Sequence, residues 1–308
     1  MSSKIVFMGT AGFAVPSLER LIEHGAKPVA VVTGPDKKRG RGQKVSFTPV
    51  KTAALAGGID TVLQPESVKD PAFAEELAQL APDIIVVVAF KILPPAVYQT
   101  ALKGAFNLHG SILPRYRGAA PINRAVMEGD EETGVTTFFL EQRVDTGSII
   151  LQRSMPIGPN ETAGEVHDRM MELGADAVLE TVRLIESGNV PTTSQDGSLA
   201  TRAPKIFKED CLIDWTKPSI FVHNHIRGLS PYPGAWTMHG ANMLKILKAV
   251  PAEGQGTAGQ VLEADDTLVI ACKEGAIEIL QIQQEGRKRM GTADFLRGYQ
   301  IEAGALLQ

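Results

Sequence analysis

The sequence predicts an α/β fold in two parts: a Rossmann-like, open, mostly parallel sheet, followed by a smaller C-terminal β-barrel that is OB-like. The first half alternates short apolar runs with helical patterns, as parallel strands joined by crossover helices do. The last third instead holds about five short strands separated by turn residues, which is typical of a small barrel. The length of 308 residues also favours about two domains.

Four strands are predicted in the first half of the chain: Ile5 to Met8, Pro28 to Thr33, Ile84 to Ala89 and Gly104 to Leu108. The run from Ile84 to Val88 is apolar throughout rather than alternating, as expected of a strand covered by helices on both faces. We therefore place it near the centre of the sheet. Two further strands are predicted at Val135 to Glu141 and Ser148 to Pro156.

Two helices have clear start signals. Asp70 before Pro71 is an N-cap followed by proline at the first helical position, so a helix is predicted from there to about Leu80. Thr162 and Glu165 have the spacing of a capping box, and an apolar stripe then continues to about Ser187. This long helix is predicted to close the first domain.

The segment from Gly188 to Lys208 loses periodicity and is rich in Pro, Thr, Ser, Gly and Asp, so it is interpreted as a linker. We divide the chain into a first domain at 1–189, a linker at 190–207 and a C-terminal domain at 208–308. The second domain is predicted to begin with a short helix near Ser219 to Arg227. The predicted strands after it are Ala235 to Met238, Asn242 to Ala249, Gly259 to Glu263, Thr267 to Cys272 and Ala276 to Gln283.

The composition excludes several classes of protein. Lys and Arg number 31 against 35 Asp and Glu, a net charge of −4, so any polyanionic partner must bind a local patch. The longest apolar run, Ile84 to Phe90, is far shorter than the roughly 20 residues of a membrane-spanning helix, so no membrane association is expected. The start lacks a secretory signal, and Cys211 and Cys272 match no metal or redox spacing. We expect a cytoplasmic protein with two buried thiols.

A glycine loop follows the first strand, at Gly9-Thr10-Ala11-Gly12. The dinucleotide fingerprint fails there, because its second and third glycines are replaced by Ala11 and Ala14 and no acidic residue ends the second strand. We interpret the loop as a tight turn and expect no NAD.

The richest polar stretch ends the fourth predicted strand. Asn107 and His109 are two residues apart, so they project to the same face at the carboxyl end of the strand, where open α/β sheets bind ligands. Asp145, in Asp145-Thr146-Gly147, supplies a carboxylate that can orient a histidine. The alternatives are a structural histidine and a turn aspartate.

Other chemistries fit these residues less well. Asp-Thr-Gly also occurs in aspartic proteases, but their mechanism needs two carboxylates and the chain has no second copy. Ser111 lies near His109, yet no G-x-S-x-G elbow of a serine hydrolase is present. His223 and His225 would splay apart on the predicted helix, so no metal site is expected.

With these residues in view, the sequence resembles the folate-dependent formyltransferases. The resemblance rests on the block from Asn107 to Pro114, on Arg115 to Ile122 and on Asp145-Thr146-Gly147, and it extends from Ile5 to the last barrel strands. It implies that Asn107, His109 and Asp145 are catalytic. We expect Asn107 and His109 to stabilise a tetrahedral intermediate, and Asp145 can assist by fixing the tautomer of His109. The sequence leaves two candidates, His109 and Asp145, for the group that receives the proton of the attacking amine. The resemblance also implies that Ser111, Ile112, Leu113 and Pro114 contact the folate. Phe90 and Leu93 are further candidates for the folate site, and core packing is the alternative for Leu93.

The resemblance also implies the substrates. The formyl donor would be 10-formyltetrahydrofolate, and the acceptor would be the α-amine of methionine carried by initiator tRNA, with no metal and no NAD. One segment departs from the family, because relatives commonly have Ala-Tyr-Gly and then a longer apolar stretch where this chain has Ala89-Phe90-Lys91. The family's pterin contacts therefore do not carry over directly to this segment.

A basic segment follows the second strand, and we expect it to contact phosphates of the tRNA acceptor stem. Its basic residues are Lys37, Lys38, Arg39, Arg41 and Lys44, and the resemblance points to Arg41 as the inserted arginine. A second group is predicted to contact the RNA backbone: Arg202, Lys205, Lys208, Arg287, Lys288 and Arg289. The alternative for both groups is ordinary surface charge. We expect a monomer, since no heptad repeat or apolar stripe calls for a partner.

Two rival hypotheses remain. A related formyltransferase acting on a small amine, such as a glycinamide ribonucleotide or an amino sugar nucleotide, would keep Asn107, His109 and Asp145 but needs neither the basic segment nor the extra domain. A noncatalytic RNA-binding protein would use the first domain only as a scaffold. The catalytic trio argues against this second rival.

Overall fold

A computed structural model of the chain describes residues 3–39 and 44–308. Within these ranges the strands are β1 Ile5–Gly9, β2 Ala30–Val32, β3 Lys37–Arg39, β4 Lys44–Ser46, β5 Val62–Leu63, β6 Ile84–Val88, β7 Gly104–His109, β8 Arg117–Gly118, β9 Glu132–Phe139, β10 Ile149–Pro156, β11 Arg202–Ala203, β12 Ala235–His239, β13 Asn242–Ala252, β14 Val261–Ala264, β15 Leu268–Ala271, β16 Ala276–Gln284 and β17 Met290–Gly291. The α-helices are α1 Val15–Glu23, α2 Pro49–Ala56, α3 Pro71–Gln79, α4 Pro95–Tyr98, α5 Pro121–Glu128, α6 Ala163–Ser187, α7 Ser219–Leu229 and α8 Thr292–Leu296. Short 3-10 helices lie at Gly12–Ala14, Gly197–Leu199 and Glu209–Cys211.

The first large sheet has seven strands in the order β10-β9-β7-β6-β1-β2-β5. β1 pairs in parallel with both β2 and β6, and β6 pairs in parallel with β7. β9 then pairs with β7 in the antiparallel sense. The predicted mostly parallel, Rossmann-like sheet is therefore confirmed, and β6 is its central strand, as its continuous apolar run predicted.

Local sequence signals explain where the helices begin. The Asp70 side chain accepts a hydrogen bond from the Ala72 N–H at the start of α3. At α6, the Thr162 N–H donates to Glu165 and the Glu165 N–H donates to the Thr162 hydroxyl. Both predicted caps are confirmed, because each side chain satisfies a backbone N–H that has no partner inside its helix.

One face of this sheet is packed by alternate strand residues, since successive side chains in a strand point to opposite faces. Val6 and Met8 of β1 and Ile85 and Val87 of β6 belong to one buried cluster, which also contains Phe73 and Leu77 of α3. The helices that carry the chain between parallel strands thus bury the sheet face. This packing leaves the carboxyl ends of β1, β2, β6 and β7 at one edge.

The C-terminal part contains an antiparallel sheet in the order β12-β13-β16-β15-β14, with β17 paired to β16. The sheet curls so far that residues 304–308 bond to both of its edges. The Gln308 and Met238 backbones exchange hydrogen bonds of 2.9 and 2.7 Å, and the Leu307 N–H donates to the Gly259 carbonyl at 2.8 Å. The fold class predicted for this part is confirmed.

The chain divides into two compact units. One consists of residues 1–118, 134–155 and 167–202, and the other of residues 119–133, 156–166 and 203–308. Helix α5 therefore belongs with the C-terminal unit, although it lies within the first predicted domain. Among the described residues, no helix is long and apolar enough to span a membrane.

The segment predicted as a linker is largely hydrogen-bonded. Thr193 pairs with Ile149 at the edge of the large sheet, and β11 pairs with β8. Polar, proline-rich sequence lacks hydrophobic periodicity, so these pairings were not visible from the pattern.

Candidate active site

Strand β7 presents two polar side chains at the carboxyl edge of the sheet. Asn107 lies opposite Val87 of β6 and Phe138 of β9, and it is half-buried. His109 ends the strand, is 6% exposed and meets the Phe138 ring edge-on at 6.5 Å between ring centres. Because the two residues are two apart, they share one face of the sheet, as the sequence predicted.

The backbone of a following segment holds the His109 ring. Its Nε2 lies 2.8 Å from the Tyr116 carbonyl oxygen. A carbonyl can only accept, so Nε2 carries the proton, and in the neutral ring Nδ1 has the free lone pair. Asp145 was expected to fix this tautomer, but in the structure the Tyr116 carbonyl does so.

Asp145 reaches the same segment at a different atom. Its carboxylate accepts a hydrogen bond of 2.9 Å from the Gly118 N–H, two residues after Tyr116. The structure therefore brings His109 and Asp145 to neighbouring backbone groups of one segment rather than into a direct hydrogen bond. One N–H occupies only part of the carboxylate, which retains acceptor capacity for a substrate.

A glutamine and an arginine fix the turn that carries Asp145. The Gln195 side chain donates to the carbonyls of Asp145 and Gly147 at 3.1 and 2.9 Å. Its own oxygen accepts two hydrogen bonds from the Arg117 guanidinium. Gly147 is required, since a Cβ at that position would overlap the Phe139 carbonyl. These bonds tie the Asp145 turn to the segment that holds His109.

The segment after β7 is fixed by buried polar groups. The Thr136 hydroxyl donates to the Ser111 carbonyl at 2.7 Å and accepts from the Leu113 N–H at 3.1 Å. The Gln152 amide donates to the Leu113 carbonyl at 2.8 Å. Ser111 itself is fully buried and donates to the Arg115 carbonyl. Of the four residues predicted here to contact folate, Ile112 and Pro114 are the more accessible.

The other two predicted folate residues, Phe90 and Leu93, lie after β6 and differ in their surroundings. Leu93 is 8% exposed and packs in the core beside the sheet, so core packing accounts for it. Phe90 is half-buried and lines a cavity of about 330 Å³. That cavity lies above the carboxyl ends of β1, β2 and β6.

The basic segment forms a two-stranded hairpin, β3 paired with β4, which contains Lys37, Lys38, Arg39 and Lys44. Arg41 lies outside the described residues. Asp36 anchors the start of the hairpin by a 2.6 Å ion pair with Lys51 and a 2.9 Å hydrogen bond from Gln64. These bonds lower the pKa of the Asp36 carboxyl below its usual value.

The predicted basic residues of the C-terminal unit are on its surface. Arg287, Lys288 and Arg289 are exposed in the turn between β16 and β17, and Lys205 and Lys208 are exposed as well. In the first unit, Arg202 is also exposed. Exposure suits phosphate contact and ordinary surface charge equally, so these residues remain predictions.

One histidine of α7 is buried. His223 is 2% exposed, and burial together with the nearby Arg227 charge lowers its pKa to about 4. Among the described residues, no group of three or more His, Cys, Asp or Glu side chains could hold a metal ion.

Sequence reasoning missed the residues that support the site: Tyr116, Thr136, Gln152, Gln195 and the Asp36, Lys51 and Gln64 group. Tyr116 acts through its carbonyl, which no side-chain pattern reveals. Gln195 is isolated in a segment without periodicity. Asp36, directly before β3, was a possible signal, because an acidic residue beside a basic run is a candidate ion-pair partner.

The sequence matches two protein-family models and several known proteins. The formyl transferase family model matches residues 3–182, and the model for the formyl transferase C-terminal domain matches residues 205–300. The methionyl-tRNA formyltransferase of Chlorobium phaeovibrioides is 48% identical over 98% of this chain and 97% of its own length. That of Caldanaerobacter subterraneus subsp. tengcongensis is also 48% identical, over 99% of this chain and 100% of its own length.

Solved structures show the same fold. The sugar 3N-formyltransferase WlaRD is 20% identical with a TM-score of 0.70, over 94% of this chain and 100% of its own. HypX from Aquifex aeolicus, solved in complex with tetrahydrofolic acid, has a TM-score of 0.66 at 19% identity, over 99% of this chain and 51% of its own. Two family models that together span most of the sequence, and relatives that match nearly end to end, show that this chain is an enzyme of the formyl transferase family.

Proposed function

We propose that this enzyme transfers the formyl group of 10-formyltetrahydrofolate to the α-amine of methionine esterified to initiator tRNA. The proposal depends on one observation: proteins named methionyl-tRNA formyltransferase are 48% identical to this chain over nearly its whole length. The match includes the C-terminal domain. The arrangement of Asn107 and His109 on β7 supports the chemistry.

The chemistry is acyl transfer. The amine nitrogen attacks the formyl carbon, the carbonyl electrons move to oxygen, and the tetrahedral intermediate then expels N10 of the folate, which takes up a proton. A free α-amine has a pKa of about 7.7 to 8.0, so a useful fraction is neutral near pH 7. The enzyme must stabilise the oxyanion and move one proton.

We assign these two tasks to the residues of β7. The Asn107 amide donates a hydrogen bond to the formyl oxygen as negative charge develops, and loss of one such donor typically slows an enzyme about 100- to 1000-fold. His109 takes the amine proton at Nδ1 and returns it to the leaving nitrogen, because its Nε2–H already donates to Tyr116. The remaining acceptor capacity of Asp145 binds the attacking amine.

We place the folate beside the segment from Ser111 to Pro114, which follows β7. Hydrogen bonds from Thr136 and Gln152 fix the backbone of this segment. Preorganised polar groups of this kind cost no rearrangement when the substrate binds. The tRNA contacts of Lys37, Lys38, Arg39, Arg41, Lys44, Arg287 and Lys288 belong to the same proposal.

The proposed function is tested by comparing the rates at which the enzyme formylates different acceptors. Purified enzyme is incubated with 10-formyltetrahydrofolate and, in separate reactions, with initiator Met-tRNA, elongator Met-tRNA, a glycinamide ribonucleotide or an amino sugar nucleotide. We expect formyl-methionine from initiator Met-tRNA at a kcat/KM far above that of every other acceptor. Formylation of a small amine, with none of Met-tRNA, would contradict the proposal and keep only the chemistry.

A further inference from the structure

Three consecutive backbone N–H groups after β7 make hydrogen bonds, and two of these bonds end on one residue. The Tyr116 N–H donates to the Thr201 hydroxyl at 2.8 Å, and the Arg117 N–H donates to the Thr201 carbonyl at 2.9 Å. The third N–H, that of Gly118, donates to the Asp145 carboxylate. Thr201 therefore holds the short backbone segment that also contacts His109 and Asp145.

The peptide unit between Tyr116 and Arg117 links Thr201 to the His109 ring. A trans peptide is planar, so its N–H and its C=O point in opposite directions. On one side the Arg117 N–H donates to the Thr201 carbonyl. On the other side the Tyr116 oxygen lies 2.8 Å from Nε2 of His109. The bond to Thr201 therefore determines where the Tyr116 oxygen lies relative to the imidazole ring.

The backbone of Tyr116 has a conformation that needs support from its neighbours. Its φ is 59°, in the left-handed region, which is unfavourable for a residue with a side chain. Such conformations persist only where surrounding groups fix them. The Thr201 hydroxyl is one of these groups, because it accepts the hydrogen bond of the Tyr116 N–H. Without that hydroxyl, the strained φ loses part of its support.

Thr201 is itself fixed by its neighbours along the chain. The Asp196 carboxylate accepts hydrogen bonds from the Ser198 N–H and hydroxyl at 2.9 and 2.6 Å. The Ala200 N–H donates to the Gly197 carbonyl. Strand β11 follows Thr201 directly and pairs with β8. Because the chain is fixed on both sides, the two acceptor oxygens of Thr201 are held in set positions, as the support of a functional site requires.

We propose that Thr201 is a positioning residue for formyl transfer, which fixes the Tyr116 carbonyl and, through it, the ring of His109. The proposal rests on the proposed function, because that function gives His109 the proton to transfer. Nδ1 can meet the attacking amine in one fixed orientation only while Nε2–H stays bonded to Tyr116. Loss of the Thr201 hydroxyl should therefore lower kcat and leave substrate binding unchanged.

Three variants separate this role from general stabilisation. Thr201→Val keeps the branched shape but removes the hydroxyl, Thr201→Ser keeps the hydroxyl, and Thr192→Val makes the same change at another exposed threonine of the segment. For Thr201→Val we expect kcat to fall about fivefold, the equilibrium change typical of one hydrogen bond in a protein, with the KM of both substrates unchanged. Thr201→Ser and Thr192→Val should keep kcat within about twofold of wild type.

Proton exchange at the His109 ring reports the same contact without any substrate. The Nε2–H proton is followed by NMR in protein with isotope-labelled histidine, and its signal is identified by its absence in His109→Gln. In Thr201→Val we expect this proton to exchange with water about fivefold faster, because the bond to the Tyr116 carbonyl opens more often. Exchange in Thr201→Ser and Thr192→Val should equal that of the wild type.

Two results would overturn the proposal. One is a Thr201→Val protein in which either kcat or the exchange rate equals that of Thr192→Val. The other is an equal loss in Thr201→Ser, which would assign the effect to the threonine methyl rather than to the hydroxyl. Faster exchange in Thr201→Val, together with a wild type that formylates only a small amine, would contradict the proposed function alone.

Discussion

Two segments of this chain contain the same residue types, asparagine and histidine, in opposite settings. On β7, Asn107 and His109 are two residues apart at an open sheet edge. On α7, His223, Asn224 and His225 are consecutive on a helix. The strand directs its two side chains to one face, whereas the helix turns consecutive side chains about 100° apart, so only the strand forms a joint site.

The hydrogen bonds show the same contrast. The Nε2–H of His109 donates to a backbone carbonyl, and Nδ1 is the nitrogen that we propose takes the proton. His223 is buried beside Arg227, and its pKa is lowered to about 4, so it stays neutral at physiological pH. Arg227 binds Asn224 and the carbonyls of Gly158 and Glu161, which joins α7 to the residues before α6. We therefore propose proton transfer for His109 of β7, whereas Arg227 of α7 makes contacts that hold the C-terminal unit together.

The largest expected effect follows a change at His109. In His109→Gln, the side chain can still donate to the Tyr116 carbonyl but has no basic nitrogen. We expect kcat to fall between about 100- and 10,000-fold, the usual contribution of a general acid–base, with little change in the KM for either substrate. Steady-state kinetics with both substrates varied checks this. A variant with more than a tenth of the wild-type kcat would show that His109 is not the proton acceptor.

Asn107→Ala is expected to have the next largest effect. Losing the amide donor should lower kcat about 100- to 1000-fold, because the oxyanion loses a hydrogen bond that strengthens in the transition state. Single-turnover rates at saturating substrate measure this directly. A rise in KM with an unchanged single-turnover rate would instead make Asn107 a substrate-binding residue.

The support of the Asp145 turn predicts a smaller loss. Gln195→Ala removes the bonds to the Asp145 and Gly147 carbonyls, so the carboxylate shifts while its charge remains. A shift of a reacting group by about 1 Å typically lowers kcat/KM about ten- to a hundredfold. The matched control is Gln99→Ala, at an exposed position at the end of α4. Equal kcat/KM values for the two variants would show that Gln195 does not position Asp145.

The smallest effect concerns stability rather than rate. Because the pKa of His223 is about 4 in the folded protein and its ordinary value is 6.5, the unfolded chain binds the proton more tightly. Protonation of His223 therefore does not affect the free energy of unfolding above pH 6.5. As the pH falls from 6.5 toward 4, the unfolded chain takes up the proton first, and the free energy of unfolding decreases by up to about 3 kcal/mol.

His223→Gln should remove that pH dependence. Calorimetric Tm values of wild type and variant, measured between pH 7 and pH 4, should converge as the pH falls, since only the wild type loses this contribution. Parallel Tm curves would show that His223 is not held neutral by the fold.

Much of the fold was predictable because its signals are local. The apolar run of β6 indicated a central strand, and Asp70 and Thr162 marked the starts of α3 and α6. The pairing of Asn107 with His109 followed from the strand period alone. These predictions needed only backbone geometry and burial.

The parts that were not predictable depend on contacts between distant residues or on backbone atoms. The Tyr116 carbonyl that holds His109 is invisible in a side-chain pattern. Gln195 lies 50 residues from Asp145 in the sequence, in a segment whose composition indicated only a linker. Likewise, the placement of α5 with the C-terminal unit arises from packing that its position in the chain does not reveal.

We propose that the chemistry belongs to the histidine of β7 and not to those of α7. The most direct test measures single-turnover formyl transfer to Met-tRNA by wild type, His109→Gln and His223→Gln side by side at pH 7.5 and 25 °C. Circular dichroism confirms that all three are folded. We predict a loss of at least about 100-fold for His109→Gln and a rate within about threefold of wild type for His223→Gln. Equal losses in the two variants, or a larger loss in His223→Gln, would contradict the claim.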